Sequence, residues 1–181
     1  MLRDLKKNEK AGSFKSKSEV LFSSATSLDI AANSVDAVIT SPPYLAKMEY
    51  AQIYPIEQVL FFGQTGRPQV KSFIGETEEQ PDVFEGKYDL PKEALGYFHD
   101  MNLAVLEMHR VLKRGGKAAI IVGEGCFPDR VVESDILIAE LAENAGFKLR
   151  EIVVLNERWC MRDRTEKVGK LRESMIVLEK P

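Results

Sequence analysis

The 181-residue sequence has little cysteine, no long apolar run and no surplus of positive charge, and each shortage excludes a class of protein. Its two cysteines, Cys126 and Cys160, lack metal-ligand spacing, which argues against a zinc site and for an intracellular protein with free thiols, neither of them catalytic. The opening MLRDLKKNEK is charged where a secretory leader would be apolar, and no stretch approaches the roughly 20 apolar residues of a membrane span. The expected location is the cytoplasm, with no membrane partner. A net charge of −3 argues against a protein that coats nucleic acid by neutralising phosphates. No internal repeat is visible.

What is present is a globular composition, 44% hydrophobic and 29% charged, at a length that suits one domain. Charge is unevenly spread. Acid dominates between Glu76 and Glu107, whereas base is in excess in the first seventeen residues and between Lys148 and Arg172. The two basic segments are either phosphate contacts or plain solvated surface. Residues 1–18 are polar and without apolar periodicity and read as a mobile basic arm, with the folded part over 19–181.

Hydrophobic periodicity predicts alternating strands and helices. Val20, Leu21 and Phe22 form a first apolar run and residues 36–40 a second, both read as buried parallel strands. Helical spacing follows over 49–62, ended by Gly63, and residues 63–90 carry the glycines, prolines and acids of a long surface loop. Pro91 is placed to open a helix whose apolar face runs to Leu112, with Arg114-Gly115-Gly116 as its stop. A strand over 117–123, a helix over 131–145 and two final strands over 147–155 and 174–178 complete the pattern. That order predicts an α/β fold whose parallel sheet ends in an antiparallel hairpin.

The residues that carry chemistry are Thr40-Ser41-Pro42-Pro43-Tyr44, set where a strand should release its carboxyl end into a loop. Two successive prolines remove two N–H donors and stiffen a turn whose carbonyl oxygens can face a ligand's donors. Ser41 adds a hydroxyl that accepts, and Tyr44 a π-face on which a planar base can stack. An exocyclic amine on a nucleobase has its lone pair delocalised into the ring, and two acceptors on its two N–H bonds would reorient that pair. Positioning then supplies much of the rate, up to about 7–11 kcal/mol, without a strong general base.

This turn resembles the S-P-P-Y motif of amino-methyltransferases, in the form typical of the cytosine-N4 DNA methyltransferase family. Ser34 to Asp36 before it, His109 to Gly116 after it and the spacing from Leu45 to Tyr50 are similar to the family too, so the resemblance covers residues 20–178. It implies a partial Rossmann-like methyltransferase fold, S-adenosylmethionine as cofactor and DNA rather than RNA as substrate. Ser41 and the Pro42 carbonyl would orient the amine, with Pro43 stiffening the turn, Tyr44 stacking on the flipped base and Tyr50 assisting. Ser23-Ser24-Ala25 departs from the Gly-Asp and small residue usual in the family. Ser24 and Ala25, with Ser41 and Pro42, would lie toward the cofactor, Ser24 accepting one hydrogen bond; the alternative is that Ser23-Ser24-Ala25 forms a plain strand-to-helix turn.

The family holds its methyl donor with a glycine-rich turn after the first strand and an acid after the second, and neither is found. The expectation is therefore a split enzyme, in which a second polypeptide carries the glycine-rich turn and covers an otherwise open sheet edge. Homodimerisation would cover the edge without making a donor site. Gly123-Glu124-Gly125 is a possible donor turn by itself, although a lone G-x-G is weak evidence. Competing readings are an RNA amino-methyltransferase, for instance on guanine N2 of transfer RNA, and a non-catalytic nucleic-acid-binding module.

Overall fold

The computed structural model describes residues 18–46, 56, 59, 60, 63, 80–162 and 166–181. The basic arm, Tyr50 and Tyr54, most of the helix expected over 49–62 and the loop up to residue 79 fall outside the described residues.

Strand β1 (Val35–Thr40) is followed by a short 3-10 helix (Asp82–Phe84), helix α1 (Lys92–Val111) and strand β2 (Leu112–Gly123). A small pair, β3 (Gly125–Cys126) and β4 (Val131–Val132), leads into helix α2 (Ser134–Asn144) and the long strands β5 (Lys148–Arg162) and β6 (Glu166–Glu179). The main sheet has the order β1-β2-β6-β5. β1 lies parallel to β2, and β6 runs antiparallel to both β2 and β5. The expected α/β architecture is present, with a parallel start and a closing antiparallel hairpin.

The helices form where apolar residues recur every three or four positions. On α1 this places Ala94, Tyr97, Phe98, Met101, Val105 and Met108 on one buried face, and on α2 Leu137, Ile138, Leu141 and Ala142. They pack with Ile120 and Val122 of β2 and Ile176 and Leu178 of β6 into one core. Each such large side chain contributes roughly 1.5–3 kcal/mol when fully buried. The carboxyl end of α1 is capped from far along the chain: Lys180 Nζ donates to the carbonyls of His109 (2.7 Å) and Leu112 (2.8 Å). Arg110 and Glu107 clamp the approach to β1, through bonds from Arg110 to the carbonyls of Leu28 and Ile30 and from the Leu28 N–H to Glu107.

Several expectations need correction. Val20, Leu21 and Phe22 form no strand; Val20 and Phe22 are almost wholly exposed, and an apolar triplet with no strand beside it among the described residues has no ladder there to join. β1 is a strand but not a buried one. It has β2 on one side and, among the described residues, nothing on the other; Val38 packs against the core, while Ile39 points to the opposite face of the sheet and is 80% exposed. Arg114-Gly115-Gly116 does not stop α1: the helix ends at Val111 and these residues already belong to β2, where Gly115 adopts φ +75°. The two final strands run far beyond their apolar cores, because their outer halves pair with each other past the end of β2. Cys126 of β3 and Cys160 of β5 are joined in a disulfide, with Cα atoms 5.8 Å apart, rather than being free. Sequence spacing could not show that pairing. Among the described residues no helix is long and apolar enough to cross a membrane, and no cluster of potential metal ligands occurs.

Candidate active site

β1 releases the chain at Thr40 into Ser41, Pro42, Pro43 and Tyr44 at its carboxyl end, the ligand edge of an open α/β sheet. Two anchors hold the turn. Leu45 is buried to 3% exposure, and the Tyr97 hydroxyl on α1 donates to the Pro43 carbonyl at 3.0 Å. Burial pushes the Tyr97 hydroxyl far above its ordinary range, so it stays protonated and remains a donor. With Pro43 so engaged, the Pro42 carbonyl is left without a hydrogen bond among the described residues. Beside it stands the exposed hydroxyl of Ser41.

Tyr44 is fixed at its tip and along its ring. Its hydroxyl donates to Glu173 Oε1 on β6 at 2.6 Å, and the Ser41 hydroxyl approaches the Tyr44 phenolic oxygen at 3.5 Å. The ring lies against Gly123, where an added Cβ would stand 2.7 Å from Tyr44 Cδ2. No side chain fits there. Glu173 pairs with Gly123 on one side and Asn156 of β5 on the other, so the three occupy one row across the sheet and one face of it. Together with Tyr44, Arg158, Leu171 and Arg172 they line a cavity of about 260 Å³.

An ion cluster supports the wall of this cavity. Glu124 and Asp135 are almost fully buried, and Arg172 Nη2 lies 2.7 Å from Glu124 Oε1 and 3.1 Å from Asp135 Oδ1. The Glu124 contact is an ion pair without hydrogen-bond alignment at that oxygen, whereas Glu124 Oε2 accepts from the Arg172 backbone N–H at 2.6 Å. Burial pushes the Glu124 carboxyl up, against the pull of Arg172. Asp135 also accepts from the buried Ser174 hydroxyl at 2.7 Å. The cluster brackets Glu173 in sequence and so sets the position of the carboxylate that holds Tyr44.

This geometry also disposes of Gly123-Glu124-Gly125 as a donor turn. Gly123 is required by the Tyr44 ring and Gly125 by Leu45, whose Cδ2 lies 2.7 Å from an added Cβ, and the Glu124 N–H is spent on the Arg172 carbonyl. Ser24 and Ala25 lie in a separate exposed turn closed by its own bonds, Ser27 N–H to the Ser24 carbonyl at 3.0 Å and Ser24 Oγ to Thr26 Oγ1 at 2.9 Å. Tyr50 lies outside the described residues. The basic segment over 148–172 is partly neutralised internally, by Arg150 on Glu179, Lys170 on Glu157 and Arg172 in its cluster. Sequence reasoning missed Tyr97, Glu173 and Asn156. Nothing in their neighbours marks them, since each reaches the turn only across the fold.

The sequence pattern of the N6/N4 DNA methylase family matches residues 35–181, which takes in β1, the turn and everything after it. The chain belongs to this DNA methylase family. Curated relatives include the type II methyltransferase M.AvaI of Nostoc, 23% identical over 155 residues, and M.BsoBI of Geobacillus stearothermophilus, 23% identical over 203 aligned positions. The alignments take in 66% and 82% of this chain but only 32% and 39% of those proteins, so the chain spans about a third of the length of the relatives it matches. Among solved structures, a DNA modification methylase homologue from Thermus thermophilus, complexed with S-adenosyl-L-methionine, is 18% identical with a TM-score of 0.47, covering 84% of this chain and 50% of that one. In this chain the matched region starts at the strand that presents the turn.

Proposed function

We propose that this chain is the target-binding and catalytic part of an S-adenosylmethionine-dependent methyltransferase that modifies the N4 amine of cytosine in DNA, working with a donor-binding part carried by a second polypeptide. The observation that carries the reading is the division of labour in the turn: Tyr97 occupies the Pro43 carbonyl, leaving the Pro42 carbonyl and Ser41 hydroxyl as a pair of acceptors beside a fixed aromatic ring. Two acceptors on one amine draw its N–H bonds into a set direction, so that the nitrogen lone pair is exposed for transfer. Serine rather than an acid at position 41 supports cytosine over adenine, by resemblance to the N4 branch of the family.

The described residues do not by themselves make a donor site. Among them the glycine pair that follows a strand, Gly123 and Gly125, is filled by Tyr44 and Leu45, and the outer edge of β1 is open. A parallel strand docking there would pair the open edge and complete the sheet, which supports a separate donor-binding part. When bound, the cofactor supplies an electrophilic methyl group; the chain's own residues orient and stack the acceptor.

The test combines the full chain with a candidate donor-binding chain and identifies the methylated nucleoside by mass spectrometry, with calorimetry of S-adenosylmethionine binding alongside. N4-methylcytosine from the mixture is the expected product, and S41A should lower kcat by about 10²–10³ while leaving DNA affinity unchanged. N6-methyladenine would refute the cytosine reading. Tight cofactor binding by the single chain would refute the division into two parts.

A further inference from the structure

We propose that Arg158 selects the target base, donating from its guanidinium to the two adjacent ring acceptors of a cytosine stacked on Tyr44. The inference rests on the cytosine reading above and names the residue that enforces it. Arg158 stands on β5 two residues beyond Asn156, on the same face, opposite Leu171 of β6. Both line the cavity that opens on Tyr44, and that cavity lies over β2, β6 and β5, away from the free edge of β1.

The polar groups around the cavity are largely committed. The Glu173 carboxylate holds the Tyr44 hydroxyl, and Arg172 is occupied by Glu124, Glu133 and Asp135. Among the described residues the Arg158 guanidinium has neither an ion pair nor a hydrogen bond, and the side chain is exposed at the cavity. A guanidinium offers donors only, in a planar fork, and stays charged at any working pH. With the exocyclic amine of cytosine against Ser41 and Pro42, the next two positions along the base edge are N3 and O2, both acceptors. Adenine presents N1 and then a C–H there, which leaves one arm of the fork unpaired. A donor fork on the cavity lined by Tyr44, whose phenolic oxygen lies 3.5 Å from Ser41 Oγ, therefore favours cytosine, and a bidentate contact of this kind discriminates between bases by roughly ten- to a hundredfold. The cavity, of about 260 Å³, has room for one base.

The experiment measures binding of fluorescein-labelled oligo-dC and oligo-dA to the full chain by anisotropy, across a salt series, for wild type, R158M and R158K. Arg158 is exposed, so both variants keep the strand pairing. Wild type is expected to bind oligo-dC at least tenfold tighter, and R158M to lose that preference while its salt dependence stays unchanged. R158K is expected to keep overall affinity without restoring the preference, because an ammonium is a point charge rather than a fork. Equal weakening on both oligonucleotides in R158M, with the salt slope reduced by about one, would make Arg158 a phosphate contact and overturn the proposal. Absence of any preference in wild type would overturn it too. Affinity is read without turnover, so failure here leaves the methylated nucleoside to decide the cytosine reading separately.

Discussion

Replacing Arg172 with methionine removes the cation that faces two buried carboxylates. Glu124 and Asp135 each expose only 2% of their side chains, and Arg172 is within 2.7 Å of the first and 3.1 Å of the second. Breaking a buried pair by deleting one partner costs about 3–5 kcal/mol, because the remaining charge is neither solvated nor paired. Arg172 is itself 28% exposed, so water partly replaces it and a loss near ~3 kcal/mol is expected. The loss should depend on pH in a defined direction. In R172M the folded-state Glu124 carboxyl is raised further above its unfolded value, so between the unfolded value of 4.5 and that raised folded value the native state binds more protons than the unfolded chain. Stability of the variant then falls as pH rises through that window. Urea unfolding followed by circular dichroism at about pH 5 and pH 8, with the disulfide intact, measures both effects. A loss under about 1 kcal/mol, or one equal at the two pH values, would show that the cluster is not a buried ion pair of this kind.

Two further outcomes are expected. Gly123→Ala places a methyl 2.7 Å from the Tyr44 ring, which must then move and strain its bond to Glu173; kcat of the proposed two-part enzyme should fall about 10²-fold while unfolding free energy drops by about 1–3 kcal/mol, and an unchanged kcat would mean that Tyr44 need not be held. Glu107 is held down to about 2 by hydrogen bonds from Arg110 and from the Leu28 N–H. Its contribution is present above the unfolded value of 4.5 and lost as pH falls from there toward about 2, so E107Q should be less stable than wild type at neutral pH and converge with it in acid. A constant gap in urea midpoint over that range would refute the assignment.

The order of elements was legible from periodicity, because apolar spacing of 3.6 or 2 is a local property of the chain: α1, α2, β1 and β2 all fall within a few residues of where the pattern puts them. The Thr40–Tyr44 turn was legible for a similar reason, since two prolines restrict their own backbone whatever surrounds them. Termini were less legible: Arg114-Gly115-Gly116 carries the local chemistry of a helix stop, yet α1 ends before it and these residues lie in β2, in the register break between the Val35–Leu112 and Ala37–Lys117 pairs, held by backbone bonds between Lys180 and Gly115 and Gly116. What lay beyond the sequence was every relation between distant positions. Val20 and Phe22 have strand-forming side chains but, among the described residues, no neighbour to pair with, and Cys126 of β3 meets Cys160 of β5 across 34 positions. Tyr97 takes the Pro43 carbonyl across 54 positions and Glu173 takes the Tyr44 hydroxyl across 129, which no spacing rule encodes. The residues that could accept an amine were therefore written locally, whereas which acceptor stays free and where the aromatic ring is held were decided by long-range packing.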